Sequence, residues 1–201
     1  MSKNRMEAFS DGVLAVIITI MVLDLHAPAG ATLAAMRPLL PLLLIYVLSF
    51  LYIGIYWNNH HHLLHAVQQV NGGVLWANLN LLFWLSLAPF TTAWAGAHLD
   101  QAWPQAIYGF DLLLAAIAYF ILVQTLVRLH GHGSRLAAAI GRDWKGKLSI
   151  VVYAVALSLA FVRPWIATAG YFAVAIAWLV PDRRIEAALG QAEAPGDRVA
   201  E

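Results

Sequence analysis

Three groups of residues in this chain have the types and the spacing for chemistry. The first is Arg5, Phe9, Ser10, Asp11 and Gly12, which head the apolar run Val13–Leu25. Arg5 and Phe9 are four apart and share one face of a helix. A carboxylate at a membrane edge is costly without a partner, so Asp11 marks either a functional group or a tertiary fastener; a simple cap formed by Ser10 and Asp11, with Arg5 snorkelling, is the plainer reading. The second group runs from Trp57 through Asn58, Asn59, His60, His61, His62, Leu63 and Leu64 to His65. Two histidines four apart, His61 and His65, can share a metal ion. A metal needs further ligands, however, and neither Cys nor Glu stands nearby in the sequence, so no metal is expected. The favoured expectation is that one or two of these histidines meet Ser10 or Asp11. The third group is Asp111, the deepest carboxylate in the apolar stretches. It is either a proton or cation site or a group paired within the bundle, with Asn78 or Asn80 as candidate partners.

The elements that position these residues follow from composition. The chain has 201 residues, of which 61% are apolar and 11% charged, and a mean hydropathy of +0.70. A soluble domain carries about 25% charged residues. So little charge cannot cover a water-exposed surface, and an all-α polytopic membrane protein is expected. A single membrane domain is assigned to residues 1–182, with a short polar tail at 183–201. No signal peptide is apparent, so the first apolar segment is expected to stay. There is no cysteine, which excludes disulfides and thiolate metal sites. No phosphate-binding glycine loop, dinucleotide turn or nucleophile elbow occurs. An enzyme is therefore not expected, nor a cofactor, and a formal charge of +1 gives no reason to expect a nucleic-acid partner.

Six spans are expected: Ala8–Leu25, Leu39–Trp57, Val74–Trp94, Pro104–Val127, Leu148–Val162 and Pro164–Val180. A spanning helix needs about 17–25 apolar residues. The fifth is short unless Trp144–Lys147 extend it by snorkelling, and Arg163-Pro164 supplies the turn that separates it from the sixth. Pro89 lies inside the third span and should kink it, and Asn71-Gly72-Gly73 is a turn signal before it. With the N-terminus in the cytoplasm, ten of the twelve Lys and Arg residues lie inside and only Arg37 and Arg163 outside. That bias fits a multi-pass membrane protein with both termini cytoplasmic. Most of the eight Trp sit at span ends, where interfacial anchors belong.

Projected on a helix at about 100° per residue, Gly12, Val16, Thr19, Ile20 and Leu23 fall on one stripe. Asp11 falls about 140° from Val16, and Asp24 sits on a flank near the far end. One face is thus smooth and apolar, with a single hydroxyl. Lipid or core packing is the ordinary use of such a stripe.

The sequence Arg5-x-x-x-Phe9-Ser10-Asp11-Gly12 at the head of the first span resembles the signature of the transmembrane protein 175 family of potassium channels, lysosomal in animals and with shorter bacterial relatives. The motif covers eight residues, and Val13–Leu25 continues in the family's manner; the short chain of bacterial type implies the plasma or inner membrane. The resemblance implies a homotetramer in the lipid bilayer, with the first helix of each subunit around a central pore. It implies apolar constrictions at Val16, Ile20 and Leu23, with a hydroxyl layer at Thr19. The motif residues would knit the helices behind the pore, and the resemblance implies a Trp and a His at the second group, here Trp57 and His61 or His62. Val16 departs from the larger aliphatic residue expected at its place. The expected function is a potassium-selective or potassium-preferring cation channel that conducts passively through a hydrophobically constricted pore, with potassium ions and other copies of the chain as partners. Asp24 could add an outer ring of carboxylates that concentrates cations. The alternative is an ion-coupled or proton-linked transporter using Asp111 and the histidine cluster.

Overall fold

The computed structural model describes residues 2–179 other than His132 and Arg142. The expected tail at 183–201 and the last residue of the sixth span, Val180, lie outside the described residues. Among the described residues the regular structure is entirely helical: α1 (Lys3–Leu23), α2 (Leu33–Met36), α3 (Leu40–His65), α4 (Gly72–Ser86), α5 (Ala88–Ala97), α6 (Ala102–His130), α7 (Arg135–Ile140), α8 (Trp144–Ala160) and α9 (Pro164–Leu179). A short 3-10 turn, Arg37–Leu39, joins α2 to α3.

The local boundaries have plain chemical causes. Asn71 caps α4 by accepting from the backbone N–H of Val74 at 3.0 Å, one of the donors that a helix start leaves orphaned. Pro89 does more than bend the third span. It sits in the first turn of α5, and the chain breaks at Leu87 into two helices, because proline has no N–H to continue the ladder. Asp143 caps α8 from a left-handed conformation, accepting from Gly146 at 3.2 Å. α8 therefore begins at Trp144, four residues before the apolar run, and the turn at Arg163-Pro164 starts α9 afresh.

Among the described residues, four stretches are long and apolar enough to cross a membrane: Lys3–Leu23, Leu33–His65, Gly72–Ala97 and Ala102–His130. α9 is apolar but shorter. Two apolar cores hold the helices together. One joins Leu14, Ile17 and Met21 of α1 to Leu81 of α4 and Leu122 and Leu126 of α6. The other joins Ile45 and Leu48 at the start of α3 to Tyr108 of α6, Tyr153 of α8 and Tyr171 of α9. α6 and α3 take part in both cores. α1 packs on α3, α4 and α5, so one side of it is held within the chain.

The second core contains a polar seam. Thr92 donates to Ser49 at 2.6 Å, and Ser49 pairs with the Tyr108 hydroxyl at 2.9 Å. Thr168 donates to Gln105 at 2.9 Å, and Gln105 donates to the carbonyl of Ala95. Buried polar groups away from water are costly unless partnered, and here each finds its partner on another helix. Gly109 makes room for Tyr171, whose hydroxyl donates to the carbonyl of Gln105 at 3.1 Å: any Cβ at Gly109 would overlap the Tyr171 ring and hydroxyl.

Candidate functional site

α1 has two faces. Met6, Ser10, Leu14, Ile17 and Met21 are buried, at the three- and four-residue steps of one helix side. The opposite side is open. Val16 is 56% exposed, Ile20 45% and Leu23 70%, and Thr19 is exposed beside them. Arg5, Phe9 and Gly12 are exposed too, and the helical step places them within the same stripe, about 100° wide. The five-residue signature is therefore split. Arg5, Phe9 and Gly12 face outward with the apolar residues, whereas Ser10 and Asp11 face other helices of the chain.

The Thr19 hydroxyl donates to the carbonyl of Ala15 at 2.8 Å. Its proton is thus committed to its own helix. The oxygen lone pairs remain directed away from the backbone, which makes Thr19 an acceptor toward whatever faces the stripe. Asp24 is the residue that closes α1 at its C-terminal end. It is half-buried, and His26 donates to its backbone carbonyl at 2.9 Å.

Ser10 begins a directed chain of hydrogen bonds. Buried His60 of α3 donates from Nε2 to Asn78 Oδ1 of α4 at 2.8 Å. Asn78 Nδ2 donates to Ser10 Oγ at 3.0 Å, and Ser10 donates to the carbonyl of Met6 at 2.8 Å. Three helices are joined by three bonds without an orphaned group along the way. The carbonyl Oδ1 of Asn78 can only accept, so His60 carries its proton on Nε2.

Asp11 is held separately. Trp57 Nε1 donates to Asp11 Oδ1 at 3.1 Å. One turn away, His61 Nδ1 lies 3.4 Å from Glu7 Oε1. The two helices run antiparallel, so two i, i+4 pairs meet in register, Asp11 with Trp57 and Glu7 with His61. The indole and the His61 ring stack at 5.9 Å and 21°, and His65 follows with its ring centroid 4.5 Å from that of His61. His62 touches only the edge of this group, with its ring 5.8 Å from His61. The register exists because α3 does not stop at Trp57. It continues through the histidines to His65 and carries their rings along the first turns of α1.

Several sequence expectations need correction here. Asn78 does not serve Asp111; it is committed to His60 and Ser10, and Asn80 is exposed. The partner of Asp111 is Thr91, which donates to Oδ2 at 3.0 Å. Thr91 lies in the first turns of α5, which packs on α3 and α6, and its hydroxyl meets Asp111 across that contact. Asp111 Oδ1 is the one buried side-chain polar atom among the described residues without a partner. The histidine that reaches the Ser10 network is His60, rather than the expected His61 or His62. Finally, a carboxylate does stand beside His61 and His65. Glu7 arrives from another helix, 54 residues earlier in the chain, where linear proximity could not reveal it. The usable signal was the double i, i+4 match of Glu7 and Asp11 against Trp57 and His61.

Fold and site together define a multi-pass α-helical membrane protein whose first helix is fastened along one face and open along the other. Residues 5–89 match the family described as the endosomal/lysosomal potassium channel TMEM175. A potassium channel of Chryseobacterium sp. (strain P1-3) is 52% identical over 190 residues, covering 94% of this chain and 98% of its own. A potassium channel of Streptomyces collinus is 33% identical over 170 residues, covering 79% and 82%. Among solved structures, the lysosomal potassium-selective channel TMEM175 homolog from Chamaesiphon minutus superimposes with a TM-score of 0.78 at 26% identity, over 90% of this chain and 97% of that one. The chain belongs to the TMEM175 family. It is a bacterial-type member, an ion channel by family and not an enzyme.

Proposed function

We propose that this chain is a potassium channel of the plasma membrane, in which four copies gather their α1 helices about a central axis and potassium ions pass along the stripe Val16, Thr19, Ile20 and Leu23. The observation that carries the reading is the two-sidedness of α1. Its inner face is locked to α3 and α4 through Ser10 and Asp11, while its outer face stays open over its whole length. An open apolar face alone suits lipid equally well. The open face differs from a lipid-facing one in carrying Gly12, with exposed Ala8 and Ala15 flanking the stripe, which let helices approach closely, and an exposed arginine with an acceptor hydroxyl further along. The 52% identical relative, a potassium channel nearly coextensive with this chain, supports the same reading.

The physics of conduction follows from the side chains. Rings of Val16, Ile20 and Leu23 exclude water at the narrow points, and an ion crosses them by shedding hydration. Potassium gives up water more readily than sodium, so narrow apolar rings favour it. Thr19, with its proton turned back to Ala15, offers the partly dehydrated ion an oxygen between two rings. Val16, smaller than Ile20 and Leu23, sets a wider and less discriminating constriction. Arg5, Phe9 and Gly12 meet neighbouring copies at one mouth. Asp24 supplies carboxylates at the other and draws cations in. α8 and α9 complete six crossings, with both termini in the cytoplasm and the basic residues predominantly there. The carrier alternative is not favoured, because Asp111 is buried among α3, α4, α5 and α6, and the residues around it include none of the stripe.

Liposome flux tests this. Protein is reconstituted with potassium inside and sodium outside, a protonophore is added, and proton uptake is followed by dye quenching. Protein-dependent quenching should be larger with potassium than with sodium inside, and Leu23→Ala should change its rate or its selectivity. Folded tetramers that pass neither ion would overturn the reading.

A further inference from the structure

We propose that Glu7, His61 and His65 form a binding site for a zinc-class divalent metal ion, which fastens the first turns of α1 to the last turns of α3. The three residues each present one ligand atom, and all three atoms lie within 4.8 Å of one another. In tetrahedral zinc sites the ligands stand about 2.0–2.2 Å from the metal, so neighbouring ligand atoms are about 3.3 Å apart. The Glu7 Oε1 to His61 Nδ1 separation is 3.4 Å. One edge of the tetrahedron is therefore already at its bound length. His65 lies at the exposed end of α3 and closes the other edges by side-chain rotation. Water completes the fourth position, as in other sites with three protein ligands.

The donor set selects the ion. Calcium and magnesium take oxygen ligands, whereas two imidazoles and one carboxylate suit zinc and its neighbours in the first transition row. The supports around the ligands suit a site as well. The His61 ring is stacked on Trp57, and Trp57 is tethered by its N–H to Asp11, so one ligand ring is held in orientation by a group outside the ligand set. Of the other charged or titratable groups at this end of the pair, Lys3 donates to the carbonyl of Val67 at 3.2 Å, His60 is committed to Asn78, and His62 meets the edge of the His61 ring. Glu7 and Asp11 together supply the negative charge that a divalent cation neutralises.

The site lies about 14 Å along α1 from Val16, at 1.5 Å per residue, and on a different side of the helix from the stripe. Bound metal therefore acts on the pore only by fixing the position of α1, and this consequence rests on the channel reading. The binding itself does not.

The test uses the full chain, purified without a polyhistidine tag and stripped with a chelator. Cobalt is titrated in while its visible absorption is followed, and zinc is then added in competition, with metal content measured per chain. The expected result is one ion per chain and a tetrahedral cobalt spectrum that zinc abolishes. Binding should weaken at least tenfold in Glu7→Gln and more in His61→Gln/His65→Gln, with helical content and elution volume unchanged. His62→Gln should bind as the wild type does, which separates the site from histidine-rich sequence in general. Unchanged affinity in folded Glu7→Gln and His61→Gln/His65→Gln, or no binding by the wild type at 100-fold molar excess of cobalt, would overturn the proposal. Flux into liposomes is measured in parallel. Zinc should slow potassium flux in the wild type and leave His61→Gln/His65→Gln unaffected. Binding without any potassium flux would instead remove the channel reading and leave the site standing.

Discussion

The bond chain from His60 through Asn78 to Ser10 makes a quantitative prediction about what holds α1 in place. Asn78→Leu is close to isosteric and removes one donor and one acceptor at once. Ser10 loses the bond it accepts but keeps the one it donates to Met6, so its loss is small. His60 is left with a buried N–H and no partner. An orphaned buried donor costs about 1–3 kcal/mol, while individual interhelical hydrogen bonds in membranes average about 0.6 kcal/mol and reach about 1.7. The two estimates together place the loss at about 1–3 kcal/mol. For a chain of this size that lowers the midpoint of thermal unfolding by about 3–10 °C. The assay is thermal unfolding in detergent, followed by intrinsic tryptophan fluorescence. The sharper test is the double variant. In His60→Leu/Asn78→Leu both polar partners are gone, and removing both ends of a buried bond is close to neutral. The double variant should recover at least half of what Asn78→Leu loses. If the two single losses simply add, His60 and Asn78 are not energetically coupled, and the account of the bond chain as the anchor of α1 is refuted.

Other expectations follow from the same geometry. Thr19→Val keeps the shape of the side chain and removes its acceptor oxygen, so the ratio of potassium to sodium flux in liposomes should fall toward one while total flux persists. Trp57→Phe loses the bond to Asp11 but retains the stacking; half-exposed as it is, the change should cost about 0.5–1.5 kcal/mol in the same unfolding assay, less than Asn78→Leu. Asp111→Asn keeps an acceptor for Thr91 and removes the carboxylate. Potassium flux should therefore be retained, whereas a carrier working through Asp111 would lose it. Gly109→Val should be more damaging than Trp57→Phe, since its side chain would enter the volume of Tyr171; overpacking costs about 1–3 kcal/mol, read as a lower unfolding midpoint and loss of folded protein on size exclusion.

The sequence by itself determined everything here that depends on residues close in the chain. Helical periodicity is local, so the stripe of Val16, Thr19, Ile20 and Leu23 could be drawn, and Asp11 separated from it, without knowing what either side would meet. The disturbance at Pro89, the turn at Asn71-Gly72-Gly73 and the restart at Pro164 were legible for the same reason, each being set by the chemistry of a few neighbouring residues, although the full break at Leu87 and the cap by Asn71 were not. Only the tertiary structure decided which polar groups found each other. Asp111 could be seen to need a partner, but the choice of Thr91 over Asn78 depended on which faces of α4 and α5 the packing turns to α6 and to α1 and α3. His60 could not be told from His61 and His62 until the rotation of α3 was fixed, because three adjacent positions on a helix point about 100° apart, and one alone faces α4. Glu7 meets His61 and His65 only because α1 and α3 pack antiparallel in a definite register, and that register is fixed by the fit of Met6, Leu14, Ile17 and Met21 into the core shared with α4 and α6.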